Sequence, residues 1–187
     1  MPRFSLKETI FRWRVRAGFM GLILVIILSK PNQISLLSGL GICLIGLLIR
    51  TWASGHLKKQ KKLTVSGPYQ YTRNPLYLAN MILGIGAVVG SQSWWLLIIS
   101  VAYFLLFYTP VIKREKDKMK ALFPAKYEEY MKKVPLFFPS LKPIHPPEKT
   151  KFSWDLYRKN KEYRALAGAV LFWMIMAGKM IVSGLYF

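Results

Sequence analysis

Five apolar blocks, nearly free of charge, occupy about half of this 187-residue chain. They run over 17–28, 34–49, 75–90, 94–112 and 165–187. The second has no charge at all and continues to Ser54 past Arg50, and the fifth is interrupted only by Lys179. In water such blocks must be covered by polar chain, and too little lies between them to do so. About 20 residues cross the ~30 Å hydrocarbon layer of a bilayer. The first block is short for this, but Arg12, Arg14 and Arg16 can snorkel and lengthen it. A basic arm before a short apolar run also fits a secretory signal peptide. Ser29-Lys30-Pro31-Asn32 makes a poor cleavage site, however, and more spans follow, so the block reads as a retained first helix. The expected fold is an all-α integral membrane protein with about five transmembrane helices.

The chain carries 28 Lys and Arg against 8 Asp and Glu, a formal charge of +20. In a soluble protein that excess would suggest nucleic acid. Here the charge sorts by segment. Every Lys and Arg except Lys30 and Lys179 falls in 1–16, 50–73 or 113–164, and all acidic residues fall there too. If each block crosses once, these three segments share a side. The positive-inside rule makes that side cytoplasmic, with the N-terminus inside and the C-terminus outside. The basic excess is thus an orientation signal, and no nucleic-acid partner is expected. A single cysteine excludes a disulfide scaffold and a multi-cysteine zinc site. Cys43 lies in an uncharged block and reads as packing, and His56 and His145 are too isolated to suggest a metal.

Three regions follow: an arm and first helix over 1–33, a core over 34–140, and a linker with a last helix over 141–187. Only Ser91-Gln92-Ser93 joins the third and fourth blocks, so 75–112 should form a helical hairpin, with Trp94 and Trp95 at the outer interface. Gly86 and Gly90 have the spacing that lets helices approach closely, although glycine is also common in membrane helices generally. Met119, Leu122 and Phe123 continue a helical pattern out of the fourth block until Pro124 breaks it. A short helix near 126–132 then presents Tyr127 and Tyr130, and Pro135 and Pro139 end it. The proline-rich stretch 142–151 reads as a linker, and 154–164 as a polar lead into the last block. The lysine run 58–62 suits a solvated strip or an anionic-lipid contact.

One stretch stands apart, GPYQYTRNPLYLAN over 67–80. Gly67-Pro68 demands a tight turn. Pro75 suits the first position of a helix, where its missing N–H costs nothing. Arg73 and Asn74 would then flank free backbone N–H groups, a setting that favours a carboxylate or another anion. Tyr69, Tyr71 and Tyr77 add aromatic faces. An interfacial aromatic belt with a snorkelling arginine accounts for the same residues.

This stretch resembles the GPYxYxRHPxYxG motif of the membrane methyltransferases. These include isoprenylcysteine carboxyl methyltransferase and the phospholipid N-methyltransferases. Their second motif is matched by Glu115, Phe123, Tyr127, Tyr130, Pro135 and Pro139. The resemblance spans about 35–140 and implies S-adenosylmethionine as cofactor and methyl transfer by direct displacement. It implies that Lys61, Leu63 and Val65 line the adenine side. Tyr69, Asn74, Pro75 and Tyr77 match positions near the cofactor, and Glu115 matches the first acidic residue of the second motif. Arg73, Asn74 and Glu115 are the implied catalytic group, and Lys133 stands where the prenylcysteine enzymes carry a substrate-binding Arg. Asn74 replaces the commoner His, Lys116 a common Glu, and Ala79 and Pro124 the usual Gly. An amide donates and accepts hydrogen bonds but cannot titrate as a base.

The expected function is methyl transfer to a lipophilic or lipid acceptor at the cytosolic membrane interface. A non-catalytic lipid-binding or scaffold protein of the same fold is the alternative, to which the departures at 74, 116 and 124 point. A transporter fits less well, because Lys179 is the one charge read as lying within a span.

Overall fold

The structure, a computed structural model, describes residues 6–59, 62–143 and 150–185, with side chains from Trp13 to Ser183 except Arg14. Lys61 and His145 lie outside the described residues, as do the side chains of Arg12 and Arg14. The described chain is all-helical: α1 Leu6–Leu28, α2 Gln33–His56, α3 Pro75–Ser91, α4 Trp95–Leu122, α5 Pro124–Lys133, α6 Trp154–Lys159 and α7 Tyr163–Leu185. One turn of 3₁₀ helix, Gly67–Gln70, precedes α3.

Five of these helices are the five apolar blocks. Their outward faces are large and apolar, as at Phe19, Leu48, Ile98 and Leu171. That is the pattern of helices solvated by lipid, and the chain is an all-α membrane protein. Three helices, α2, α4 and the Tyr163–Ser183 part of α7, are long and apolar enough to cross a bilayer. The apolar stretches of α1 (Val15–Leu28) and α3 are shorter. At a rise of 1.5 Å per residue, the 17 residues of α3 span roughly 25 Å. The five expected helices are thus present, three of full membrane length and two shorter.

Helices α2 and α3 approach closely, and glycines permit it. A Cβ on Gly39 would fall 2.6 Å from both the Gly86 carbonyl oxygen and the Gly90 nitrogen. One on Gly86 would fall 2.8 Å from the Gly39 carbonyl oxygen. The 86/90 spacing is therefore a packing device here and not background glycine usage. Val25, Cys43, Val88, Leu96, Phe172, Trp173 and Met176 close the core where α1, α2, α3, α4 and α7 converge. Cys43 packs there, as its uncharged block implied.

The hairpin of α3 and α4 forms as expected. Gln92, in the left-handed region at φ 56°, ends α3. Ser93 Oγ donates to the Leu28 carbonyl at 2.9 Å and Lys30 N–H to the Ser91 carbonyl at 2.9 Å, which ties both connections at this end of the bundle. The Asn32 side chain caps α2 through Ser35 in a reciprocal capping box. Past the bundle, α4 runs on through Pro110 to Leu122. The short helix that follows starts at Pro124, two residues earlier than the sequence pattern suggested. Pro124 breaks α4, and its fixed φ then serves as the first residue of α5.

Candidate functional site

The site is assembled at the end of the bundle opposite the hairpin turn. Its first part is the segment 66–75. Gly67 has φ +59°, and a Cβ there would sit 2.6 Å from the His56 ring, so only glycine lets the turn pass. Ser66 Oγ lies 3.2 Å from His56 Nδ1. Pro75 is buried and starts α3. Asn74 occupies the N-cap position, but its side chain does not cap the helix. Its Nδ2 donates instead to the Leu136 carbonyl at 2.8 Å.

That bond is one rung of a ladder joining the two motifs. Arg73 N–H donates to the Pro135 carbonyl at 3.0 Å, Thr72 Oγ1 to the Phe137 carbonyl at 2.8 Å, and Ser140 N–H to the Tyr71 carbonyl at 3.0 Å. Deeper in, Tyr130 OH donates to the Tyr69 carbonyl at 2.6 Å. Stretches more than sixty residues apart are thereby fixed edge to edge.

Burial pushes the Tyr69 hydroxyl well above its ordinary range, and nearby Tyr130 adds to the shift. Tyr130 is pushed up by burial as well. Tyr127 is also raised by burial, against the opposing pull of the Arg73 guanidinium beside it. Arg73 Nε is buried with no hydrogen-bond partner. A buried donor left unpaired costs about 1–3 kcal/mol, so its retention beside an uncapped helix N-terminus marks an acceptor-seeking spot.

Tyr77, from the first turn of α3, donates from its hydroxyl to Glu115 Oε1 at 2.7 Å. Two residues matched through the resemblance, on different helices, thus meet directly. Tyr77 also stands edge-on to Tyr108, with ring centroids 5.3 Å apart. Leu63 and Val65 pack against Tyr127, Tyr130 and Val134. Lys133 is not drawn into this cluster. Its Nζ pairs with Glu129 at 2.6 Å along the exposed face of α5.

A second polar group escaped the sequence reading. Arg50 was counted with the loop charges, but it lies within α2, six residues before the helix ends. Its Nε donates to Glu162 and its Nη1 to Asn80 Oδ1. Asn80 Nδ2 in turn donates to Tyr108 OH at 3.2 Å. Glu162, read as part of a polar lead, is buried just before α7. Lys179 is thus not the one charge within an apolar helix. Arg50 interrupting an otherwise charge-free block was the available signal, because an ionisable group at that depth needs a partner and commonly serves function.

An apolar cavity of about 750 Å³ adjoins this network, between α1, α3 and α4. Asn80 and Tyr108 line it, and Leu136, Phe137 and Phe138 of the second motif close it at the motif end. That volume lies in the range of small-molecule sites. An apolar cavity thus lies beside a polar cluster with a buried, unpaired arginine Nε, an uncapped helix N-terminus and a carboxylate.

Residues 44–126 match the phospholipid methyltransferase family. The matched segment includes Arg50, the whole first motif, Asn80, Tyr108 and Glu115, and it ends before Tyr127, Tyr130 and Pro135 of the second motif. Over 96 residues the chain is 35% identical to the cobalt-zinc-cadmium resistance protein CzcN of Cupriavidus metallidurans, covering 49% of this chain and 43% of that protein. It is 34% identical to the nickel-cobalt-cadmium resistance protein NccN of Alcaligenes xylosoxydans xylosoxydans, covering 49% of this chain and 44% of that protein. The match therefore spans under half the length of these relatives. No solved structure matches.

Proposed function

We propose that the chain is an S-adenosylmethionine-dependent methyltransferase acting on a lipophilic acceptor at the membrane interface. The observation that carries this reading is the 750 Å³ apolar cavity beside the polar cluster built by the two motifs. A membrane-dissolved acceptor and a charged, water-borne cofactor have opposite solvation needs, and this arrangement serves both.

The donor set fits the cofactor's groups. Arg73, with its unpaired Nε, and the uncapped start of α3 suit a carboxylate. Glu115, oriented by Tyr77, suits the ammonium end, and the Tyr77 ring, outside the apolar cavity, suits a cation. Leu63, Val65 and Lys61 are proposed for the adenine side, and Tyr69 and Pro75 for the pocket wall. The bound cofactor would supply an already activated methyl group. The work left to the protein is positioning and exclusion of water, and an acceptor that is already deprotonated, such as a carboxylate, takes the methyl group without a general base. Asn74 accordingly serves as a tether, holding the second motif through Leu136, and the absence of histidine there is no obstacle.

The basic loops support placing the motif end and the N-terminus in the cytoplasm, with the C-terminus outside. The relatives' names concern metal resistance. Among the described residues no group of three or more His, Cys, Asp or Glu could hold a metal ion.

Calorimetric titration of the purified chain in detergent with S-adenosylmethionine should give saturable binding. Arg73→Ala and Glu115→Ala should each weaken it at least about tenfold while the protein still inserts into membranes. No heat and no thermal stabilisation at millimolar cofactor would reject the enzyme reading in favour of a non-catalytic lipid-binding protein.

A further inference from the structure

The hydrogen bonds around Asn80 have a forced direction. Arginine is a donor only, so the atom facing Arg50 Nη1 must be the Asn80 carbonyl oxygen. The Asn80 amide nitrogen then faces Tyr108 OH, and that oxygen must accept. The Tyr108 hydroxyl hydrogen is left to donate elsewhere. Among the described residues nothing takes it. The ring cannot readily turn away: it stacks on Phe104 with centroids 4.7 Å apart and meets Tyr77 and Tyr103 edge-on.

The cavity wall points the same way electrostatically. Among the described residues its lining includes two lysines, Lys113 and Lys116, and no carboxylate. Glu115 is not part of that lining and is engaged by Tyr77. A charged donor group on the occupant would meet a positive wall and a hydroxyl that already accepts from Asn80. An oxygen acceptor would meet an oriented donor.

We propose that Tyr108, oriented by Arg50 through Asn80, is a specificity-determining residue that makes this cavity select lipophiles whose polar end is an oxygen acceptor over those ending in an ammonium. Describing the occupant as the methyl acceptor rests on the proposed function. The selection itself can be read without any transfer.

The test is competition against tritiated oleate bound to the full chain in detergent, with methyl oleate, oleylamine and the hydrocarbon 1-octadecene as competitors. Methyl oleate should compete about fivefold better than 1-octadecene, the factor expected of one net hydrogen bond near 1 kcal/mol. Oleylamine should compete no better than the hydrocarbon. Tyr108→Phe should erase the advantage of methyl oleate and leave 1-octadecene unchanged. Asn80→Asp should do the same by a different route, because a carboxylate accepts from Arg50 and Tyr108 at once and turns the hydroxyl hydrogen out of the cavity. Oleylamine competing as well as methyl oleate, or Tyr108→Phe keeping the ester's advantage, would overturn the proposal. A cofactor titration run in parallel separates the two readings. Ester selection without cofactor binding rejects the methyltransferase and spares the selection, whereas cofactor binding with oleylamine accepted equally well rejects the selection alone.

Discussion

Replacing Glu162 with alanine removes the carboxylate that receives Arg50 Nε and leaves a guanidinium inside the helix bundle whose one remaining partner among the described residues is the Asn80 amide. Both side chains are largely removed from solvent, at 17% and 8% exposure. Two unit charges about 4 Å apart attract by about 4 kcal/mol at an effective dielectric near 20. Breaking one side of such a pair typically costs about 3–5 kcal/mol, since the partner stays buried and uncompensated. For a chain of this length each kcal/mol moves a thermal midpoint by about 2–4 °C, so Glu162→Ala should lower it by roughly 6–20 °C. Tryptophan fluorescence during a thermal ramp in detergent reads this directly.

The double variant Arg50→Met, Glu162→Leu is the sharper measurement. Removing both charges also removes the desolvation cost, so it should be more stable than either single variant, with a coupling of about 2–4 kcal/mol. A Glu162→Ala midpoint within 2 °C of the parent's would refute the claim that Glu162 compensates a buried Arg50. A double variant less stable than both singles would refute it equally. The double variant should also lose the ester preference of the cavity, because Asn80 would no longer be oriented.

Gly39→Ala should destabilise by about 1–3 kcal/mol or more, since its Cβ would press on the backbone of α3, whereas Gly41→Ala, with nothing within 4 Å, should be neutral or better in the same ramp. Stability should fall as pH rises above about 10, because the buried Tyr69, Tyr127 and Tyr130 hydroxyls keep their protons in the fold after the unfolded chain has lost them. Tyr130→Phe should flatten that alkaline decline and cost about 1–3 kcal/mol near neutrality, because the Tyr69 carbonyl loses its donor. Lys133→Ala breaks only an exposed i,i+4 pair, worth about 0.3–0.5 kcal/mol, so stability should barely change. A raised KM for the acceptor in that variant would place Lys133 on the substrate, and an unchanged KM would remove it.

The helices were legible in the sequence because lipid leaves few alternatives. Apolar blocks of sufficient length must satisfy their own backbone, and Pro75, Pro124 and the 91–93 turn punctuate them with little ambiguity. The pairing of the motifs was legible only through resemblance, because no local rule says that Arg73 will lie beside Pro135 or that Tyr77 will reach Glu115. The Arg50 network was missed for a physical reason. Charge counting for orientation weighs every arginine near a helix end as a loop residue. Such a count does not ask whether that arginine has a buried carboxylate waiting 112 positions away. The distinction decides function here. An arginine in the loop would only help fix orientation, whereas Arg50 fixes an amide, the amide fixes a tyrosine, and the tyrosine's hydrogen sets what the cavity will accept.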